Sequence, residues 1–404
     1  QLEEQGDNSG IITINTVAGQ EGFYTFHLQV NGTTGITTKT IKLEIKPILE
    51  IGRVFYCDPV NGDISNPGDS LNPWGSLEGV FAAFKKFKPG DVIFCRDGLH
   101  GKPQVFGDHL DFVTIAAQSG HSPKLQQILI NGKRWVVSGM DISPENVGLT
   151  EKEDYVVLGR FADKVRLENC KIYSIDDASE WLTNEDWYAN AGDGIEHFGK
   201  ECIVRNNYIK NTNFSITLQE ANNRFEYNTI DRFGGDAIRG LADDLIIAHN
   251  VIKNAVVDDY SDPGGNHDDA FQSWTFGEPK RNIKIQGNQV FNYTDPTIPL
   301  LSSIMQGIVC FDGFTEDWVV ENNLVVNDHP HGIALYGAKN CKVVNNTIVR
   351  NPYQLFDFES EPWIDIHSHK DGRRSTGNLV RNNIMPTFVF SRNPGTADHN
   401  AIGI

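Results

Sequence analysis

The stretch RNNYIKNTNFSITLQEANNRFEYNTIDRFGGDAIRGLADDLIIAHNVIKN, residues 205–254, decides the fold. Three times an Asn is followed at once by a short apolar run: Asn207, Asn228 and Asn250, spaced by 21 and 22 residues. The same mark recurs outward at Asn169, Asn288, Asn323, Asn346 and Asn383. The wider spacings, such as the 38 from Asn169 to Asn207, read as the same unit enlarged by insertions. Periodic self-similarity on this scale signals a solenoid. About 22 residues accommodate three short strands and three turns, and stacked strands are about 4.8 Å apart. The expectation is a right-handed parallel β-helix, all-β, in which equivalent Asn side chains form a ladder of amide hydrogen bonds.

Composition agrees. The chain has 404 residues, 38 of them Gly, with 39% hydrophobic and only 22% charged side chains. It has no apolar run of the roughly 20 residues that span a bilayer, so no membrane span is expected. Its formal charge of -18 repels polyphosphate, so nucleic acid is not an expected partner. Six cysteines make no disulfide framework. Cys57 and Cys95 lie in similar runs (FYC, IFC), and buried thiols are favoured over a pair. Starting at Gln1 without a leader, the sequence reads as processed or as part of a larger multidomain chain.

Residues 1–48 differ. FYTFHLQV and TKTIKLEIK alternate apolar and polar positions around an NGTTG turn, the two-residue period of half-exposed strands. They read as a partial immunoglobulin-like β segment, with residues 53–404 forming the helix. Helical periodicity is confined to SLEGVFAAFKKF (76–87), which is expected to cap the open first coil.

The opening FYCDPVNGDISNPGDSLNPWGSLEGVFAAFKKFKPGDVIFCRDGLH, from Phe55, resembles that of many secreted β-helix carbohydrate enzymes. The resemblance is to the pectate-lyase-like superfamily and covers about residues 53–400. It implies an extracellular or cell-surface place, a polysaccharide substrate, and either a polysaccharide lyase or a glycoside hydrolase.

Aligning the coils by their Asn marks puts Asp193, Ser215, Asp236, Asp269, Gln306 and His331 in one column. Three residues on come Glu196, Leu218, Arg239, Gln272, Val309 and Ala334. His197, Trp274, Asp312 and Tyr336 lie close by in sequence. Strand alternation turns such polar residues outward, giving one face dense in carboxylates, amides and imidazoles. Insertions near 176–191, 256–267 and 293–304 precede strands of this face and carry Trp187, Tyr260 and Tyr293. They are expected to wall a groove and grip sugar rings.

The densest motif is GGNHDDAFQSW, residues 264–274. Asn266, His267, Asp268 and Asp269 resemble the NHDDG strand of calcium-dependent β-helix pectate lyases, where the acids hold Ca2+. The resemblance makes Asp236, Asp268 and Asp269 candidate Ca2+ ligands. It breaks at Ala270, where that family has Gly, and at QGIVCFDG (306–313), where its lysine strand would stand.

Two mechanisms follow. In β-elimination, the first reading, Arg239 or Ca2+ neutralises a uronate and His267, His197 or His331 takes the proton. In hydrolysis, two of Asp193, Asp236, Asp269 and Asp312 serve as acid and base or nucleophile. The catalytic candidates are therefore Asp236, Arg239, His267, Asp268, Asp269 and Asp312. The substrate-binding candidates are Asp193, Glu196, His197, Gln272, Trp274, Gln306, His331, Tyr336, Trp187 and Tyr260. A reading of another class, a non-catalytic glycan-binding or tail-spike-like adhesive module, also stands.

Overall fold

The computed structural model describes residues 2–5, 9–12, 22–32, 35–45, 52–149, 152–256, 268–275, 277–294, 305–353, 361–391 and 394–403. The chain divides into two units, Gln1–Gly52 and Arg53–Ile404. In the first, the described strands form two antiparallel pairs, Leu2–Gln5 with Ser9–Ile12 and Gly22–Gly32 with Gly35–Ile45. The alternating pattern of FYTFHLQV is that of the longer hairpin.

The second unit is a right-handed parallel β-helix. Among the described residues its strands pass in rotation through three parallel sheets of 13, 12 and 11 strands. The first sheet runs from Val54–Cys57 to Gly395–Asp398, the second from Gly98–Leu99 to Ala401–Ile402, and the third from Gln104–Val105 to Thr387–Phe390. The core is built from like residues in register. Leu167, Val204, Phe225, Ile247, Ile285, Val320, Val343 and Val380 succeed one another in the first sheet, all buried. Each contributes about 1.5–3 kcal/mol by leaving water.

The Asn ladder is continuous from Asn207 to Asn383 and gains a further rung at Asn400. The Asn228 Oδ1 accepts from both the backbone N–H (2.9 Å) and the Nδ2 (3.0 Å) of Asn207. The Asn207 Nδ2 also donates to the Leu167 carbonyl at 3.0 Å. An amide both donates and accepts, so a stack of identical Asn satisfies itself.

Asn169 is not a rung. The rung position in that coil is Cys170, whose N–H donates to the Asn207 Oδ1 at 2.9 Å. Asn169 holds the preceding position, with φ 58°, as Asn206 does at 55° and Tyr227 at 58°. Asn tolerates this left-handed conformation better than most residues, which is why it mimicked a rung in the sequence.

The capping helix is shorter than expected, Leu77–Ala82, with Ser76 Oγ accepting from the Gly79 N–H at 3.1 Å. Beyond it Phe84 is left-handed (φ 54°). Phe87 packs at 5.8 Å from Trp135 and 6.1 Å from Phe81, so this segment seals the coil with rings. Cys57 and Cys95 are buried thiols side by side on adjacent strands.

Candidate functional site

The third sheet carries the polar face. Its register places Val157, Glu196, Thr217, Arg239, Gln272, Val309, Ala334 and Asp365 in one outward row. The Ala237 N–H donates to the Asp269 carbonyl at 2.9 Å, in the register that pairs Arg239 with Gln272, so Asp236 and Asp269 stand on adjacent coils. Asp269 pairs in turn with Gln306. The column of strand-start residues is thus Asp154, Asp193, Phe214, Asp236, Asp269, Gln306 and His331. Phe214 and Thr217 replace the expected Ser215 and Leu218, because the coil after Asn207 is one residue out of step. Ser215 is buried instead against the Thr212 hydroxyl, at 2.8 Å.

Three carboxyl groups converge at one end of this face. Glu196 is pushed up to about 7, first by burial and then by the Asp154 and Asp193 charges, with the Gln219 amide opposing. Asp154 is pushed up to about 6 by burial and by Asp193 and Glu153. Burial also raises Asp193, against the Phe214 N–H and the Asn213 amide, each 3.1 Å from its Oδ1. Gln219 donates from Nε2 to the Glu196 Oε1. Like charges on adjoining coils disfavour joint ionisation, so Glu196 keeps its proton furthest up the pH scale.

Beside this trio the carboxylates are matched with donors. Arg239 Nε lies 2.6 Å from the Asp236 Oδ2, and its guanidinium sits 3.2 Å from the Phe214 ring centroid and 5.5 Å from that of Trp274. Gln272 Nε2 donates to the Asp269 Oδ2 at 2.7 Å. Asp236, Asp268 and Asp269 are all buried. Among the described residues, no three His, Cys, Asp or Glu side chains are grouped to hold a metal ion. With Asp236 on a guanidinium and Asp269 on an amide donor, the described donors do not fit the cage of about six to eight oxygens that Ca2+ takes.

Other expected site residues fall elsewhere. His197 points into the coil, fully buried in register between Leu158 and Leu218, because alternation turns it away from the face Glu196 occupies. Burial pushes its imidazole down to about 4. Trp187 sits in the short helix Asn184–Asn190, only 4% exposed, with Trp181 at 4.9 Å. It packs a small satellite core with Ala178 and Ala191 of the same insertion and Val256 from a later coil, so its ring is covered. Asp312 is exposed and bound to Lys370 at 2.6 Å. It ends the strand that Gln306 begins, so roughly 20 Å of strand separates it from the Asp236 column.

Gln306 and His331 hold each other at 2.9 Å, with Tyr336 and Phe311 rings beyond (4.9 Å apart). Burial pushes His331 down to about 4. From Asp193 to His331 is five coil steps, about 24 Å, so these residues are far from the carboxyl trio. His267 and Tyr260 lie outside the described residues.

Sequence reading missed Asp154. Its signal was present: an Asp two residues before the first apolar residue of a strand, as in Asp193/Ile195 and Asp236/Ile238. Alignment on Asn marks starts at residue 169, after this strand, and never reached it.

Residues 127–264 match the family described as "Right handed beta helix region". The fold is similar to a GH136 lacto-N-biosidase from Eubacterium ramulus, at TM-score 0.53 and 13% identity, covering 87% of this chain and 68% of that one. It is also similar to the A-module of the mannuronan C-5 epimerase AlgE6 from Azotobacter vinelandii, at TM-score 0.51 and 13% identity, covering 81% and 93%. No curated protein matches the chain in sequence.

Proposed function

Starting from a right-handed parallel β-helix, we propose that this chain is a glycoside hydrolase that cleaves a polysaccharide lying across the third sheet. The observation that carries this reading is the convergence of Asp154, Asp193 and Glu196 on adjoining coils, next to the amide of Gln219 and the ring of Phe214. Glycoside hydrolysis needs one carboxyl group that keeps its proton and one that does not.

Glu196 is the general acid. With its proton held up to about 7, it donates to the glycosidic oxygen as the C–O bond breaks. Asp193 is the ionised partner, its Oδ1 oriented by the Asn213 amide and the Phe214 N–H. It either attacks the anomeric carbon or takes the proton of the water that does, and the separation of the two carboxyls sets the stereochemical outcome. Burial, reinforced by the Asp154 charge, keeps Glu196 protonated. Arg239, fixed by Asp236, presents its guanidinium between two rings at the side of the cleft.

The lyase reading is weaker on this geometry. The Arg239 guanidinium that would neutralise a uronate is already held by Asp236, and among the described residues the buried His197 does not reach the face, while His267 lies outside them. The lacto-N-biosidase similarity supports the fold that hosts the site and leaves the substrate to experiment. The test is a panel of neutral and uronate-containing polysaccharides, with and without chelator, read for reducing ends and for ultraviolet absorbance of unsaturated products. Reducing ends without absorbance, unaffected by chelator and lost in Glu196→Gln, are expected. Unsaturated products would sink hydrolysis in favour of elimination. Loss of turnover with chelator would bring a cation back to Asp236, Asp268 and Asp269. Glycan binding with no turnover would leave an adhesive module.

A further inference from the structure

A cavity of about 280 Å3 opens beside the carboxyl trio, lined by Gln219, Leu241, Trp274, Glu278 and Lys280. Three of these are register partners on successive coils. The Leu241 N–H donates to the Leu218 carbonyl at 2.9 Å, and Arg239 pairs with Gln272, so Gln219, Leu241 and Trp274 follow one another two residues beyond the row of Thr217, Arg239 and Gln272. Gln219 also holds Glu196, which joins the cavity to the proposed acid.

The remaining wall is fixed by a separate short ladder. Lys280–Arg281 pairs with Thr315–Glu316, which pairs with Ala338–Lys339. The Lys280 N–H donates to the Phe314 carbonyl at 2.9 Å, and the Trp318 indole N–H donates to the Lys280 carbonyl at 2.9 Å. The Lys280 backbone is thereby set. Glu278 stands on the rim, its carboxylate 90% exposed and 3.7 Å from Arg281.

We propose that this cavity is a subsite for one neutral pyranose ring of the substrate. The proposal rests on the hydrolase reading and sharpens its substrate class. The lining has two characters. Leu241 and the Trp274 ring give an apolar floor, suited to the C–H face of a pyranose. Gln219, Glu278 and Lys280 give an amide, a carboxylate and an ammonium around it, suited to hydroxyls that both donate and accept.

A uronate is disfavoured there. Lys280 shares the wall with the Glu278 carboxylate, the charges of Asp154 and Asp193 are near enough to raise Glu196, and the chain carries a formal charge of -18. Bringing a further anion into that field is opposed at close range.

The test uses the full chain carrying Glu196→Gln, titrated with methyl glycosides of glucose, galactose and N-acetylglucosamine, and separately with those of glucuronate and galacturonate. Saturation-transfer NMR reports binding, and Trp274→Phe identifies the fluorescence change that belongs to this ring. At least one neutral glycoside is expected to bind and both uronates to bind at least about tenfold more weakly. Trp274→Ala is expected to weaken the neutral sugar about tenfold and Lys280→Met about fivefold, with unchanged melting temperature for Lys280→Met, because the ladder holds this residue through its backbone.

Uronates binding as well as neutral sugars would overturn the proposal. So would the absence of any glycoside binding, or binding indifferent to both substitutions. If neutral sugars bind through Trp274 but the wild-type chain cleaves no polysaccharide, the hydrolase reading falls and the subsite stands. Cleavage that ignores Trp274 and Lys280 sinks the subsite alone.

Discussion

Two stacks of like residues run along this coil, and they behave in opposite ways. On the turn before the second sheet, Asn follows Asn from Asn207 to Asn400, each amide bonded to the next at about 3 Å. On the third sheet, Asp154 and Asp193 stack in the same geometry, with Glu196 beside them; burial raises all three, and the Asp193 charge pushes Asp154 and Glu196 up further. The spacing is common to both; the chemistry differs. An amide carries both halves of a hydrogen bond, so repetition satisfies it. A carboxylate only accepts, so repetition frustrates it unless a proton stays bound or a donor is interleaved. Further along, Arg239 and Gln272 are those donors. At Glu196 burial and neighbouring charge outweigh the one Gln219 amide, the proton remains, and acid chemistry becomes available.

This contrast can be broken at several points. The largest effect is expected for Glu196→Gln, which removes the proton donor and leaves the hydrogen bond to Gln219. Turnover of the cleaved polysaccharide should fall by about two to four orders of magnitude, while far-ultraviolet circular dichroism stays native.

Next is Arg239→Ala, which leaves Asp236, only 2% exposed, without its guanidinium. A loss of about 2–3 kcal/mol is expected in denaturant unfolding, less if Asp236 protonates. Asn288→Ala breaks the ladder at its centre, removing the acceptor of the Asn250 N–H (3.0 Å) and Nδ2 (3.0 Å). About 2 kcal/mol is expected. Asn288→Asp keeps an acceptor and introduces a buried charge, so it should lose more stability at neutral pH than in mild acid.

The pH dependence sharpens the comparison. A carboxyl whose folded value is raised binds more protons folded than unfolded, so stability falls as pH climbs from its ordinary 4.5 to about 7, then levels. Glu196→Gln removes that slope and should stabilise the protein by about 1–2 kcal/mol above pH 7, measured as melting temperature across the range. Activity of the wild type should decline above about 7 as Glu196 ionises. It should also decline in acid as Asp193, raised from 3.8, takes a proton. The smallest expected effect is that of Asp154→Asn. It removes one repelling charge and should move the alkaline limb to lower pH by about one unit or less. An unmoved limb would mean that Asp154 does not tune Glu196.

The fold was legible because its signal is repeated: each rung of the ladder states the period again. The face was legible too, since alternation about Asp193, Asp236 and Arg239 is local. What failed was alignment by a single landmark. Asn serves both as rung and as the left-handed residue before it, so Asn169 was misplaced by one, and the coil holding Ser215 and Leu218 slipped likewise. Direction failed at His197, where one residue of alternation separates an outward group from the core. Trp187 failed for another reason: an insertion of this length, with two Trp and two Ala, has enough apolar surface to fold on itself. Asp154 lay before the first landmark. Its weakened acidity belongs to no motif, since it arises from burial, from Asp193 on the next coil and from the adjoining Glu153.

The ladder has one more consequence. Intervals between rungs range from 17 residues (Asn383 to Asn400) to 38 (Asn250 to Asn288), and the rungs still bond at the same distance. Most of the surplus chain lies, in sequence, between a strand of the second sheet and the next strand of the third, where the polar face begins. The molecule therefore separates what lineage must keep from what it is free to vary. Lengthening or exchanging a loop on that border leaves every core residue in register, so a gene encoding this coil can explore new specificities by insertion and deletion, events that in most folds would destroy the frame they act on.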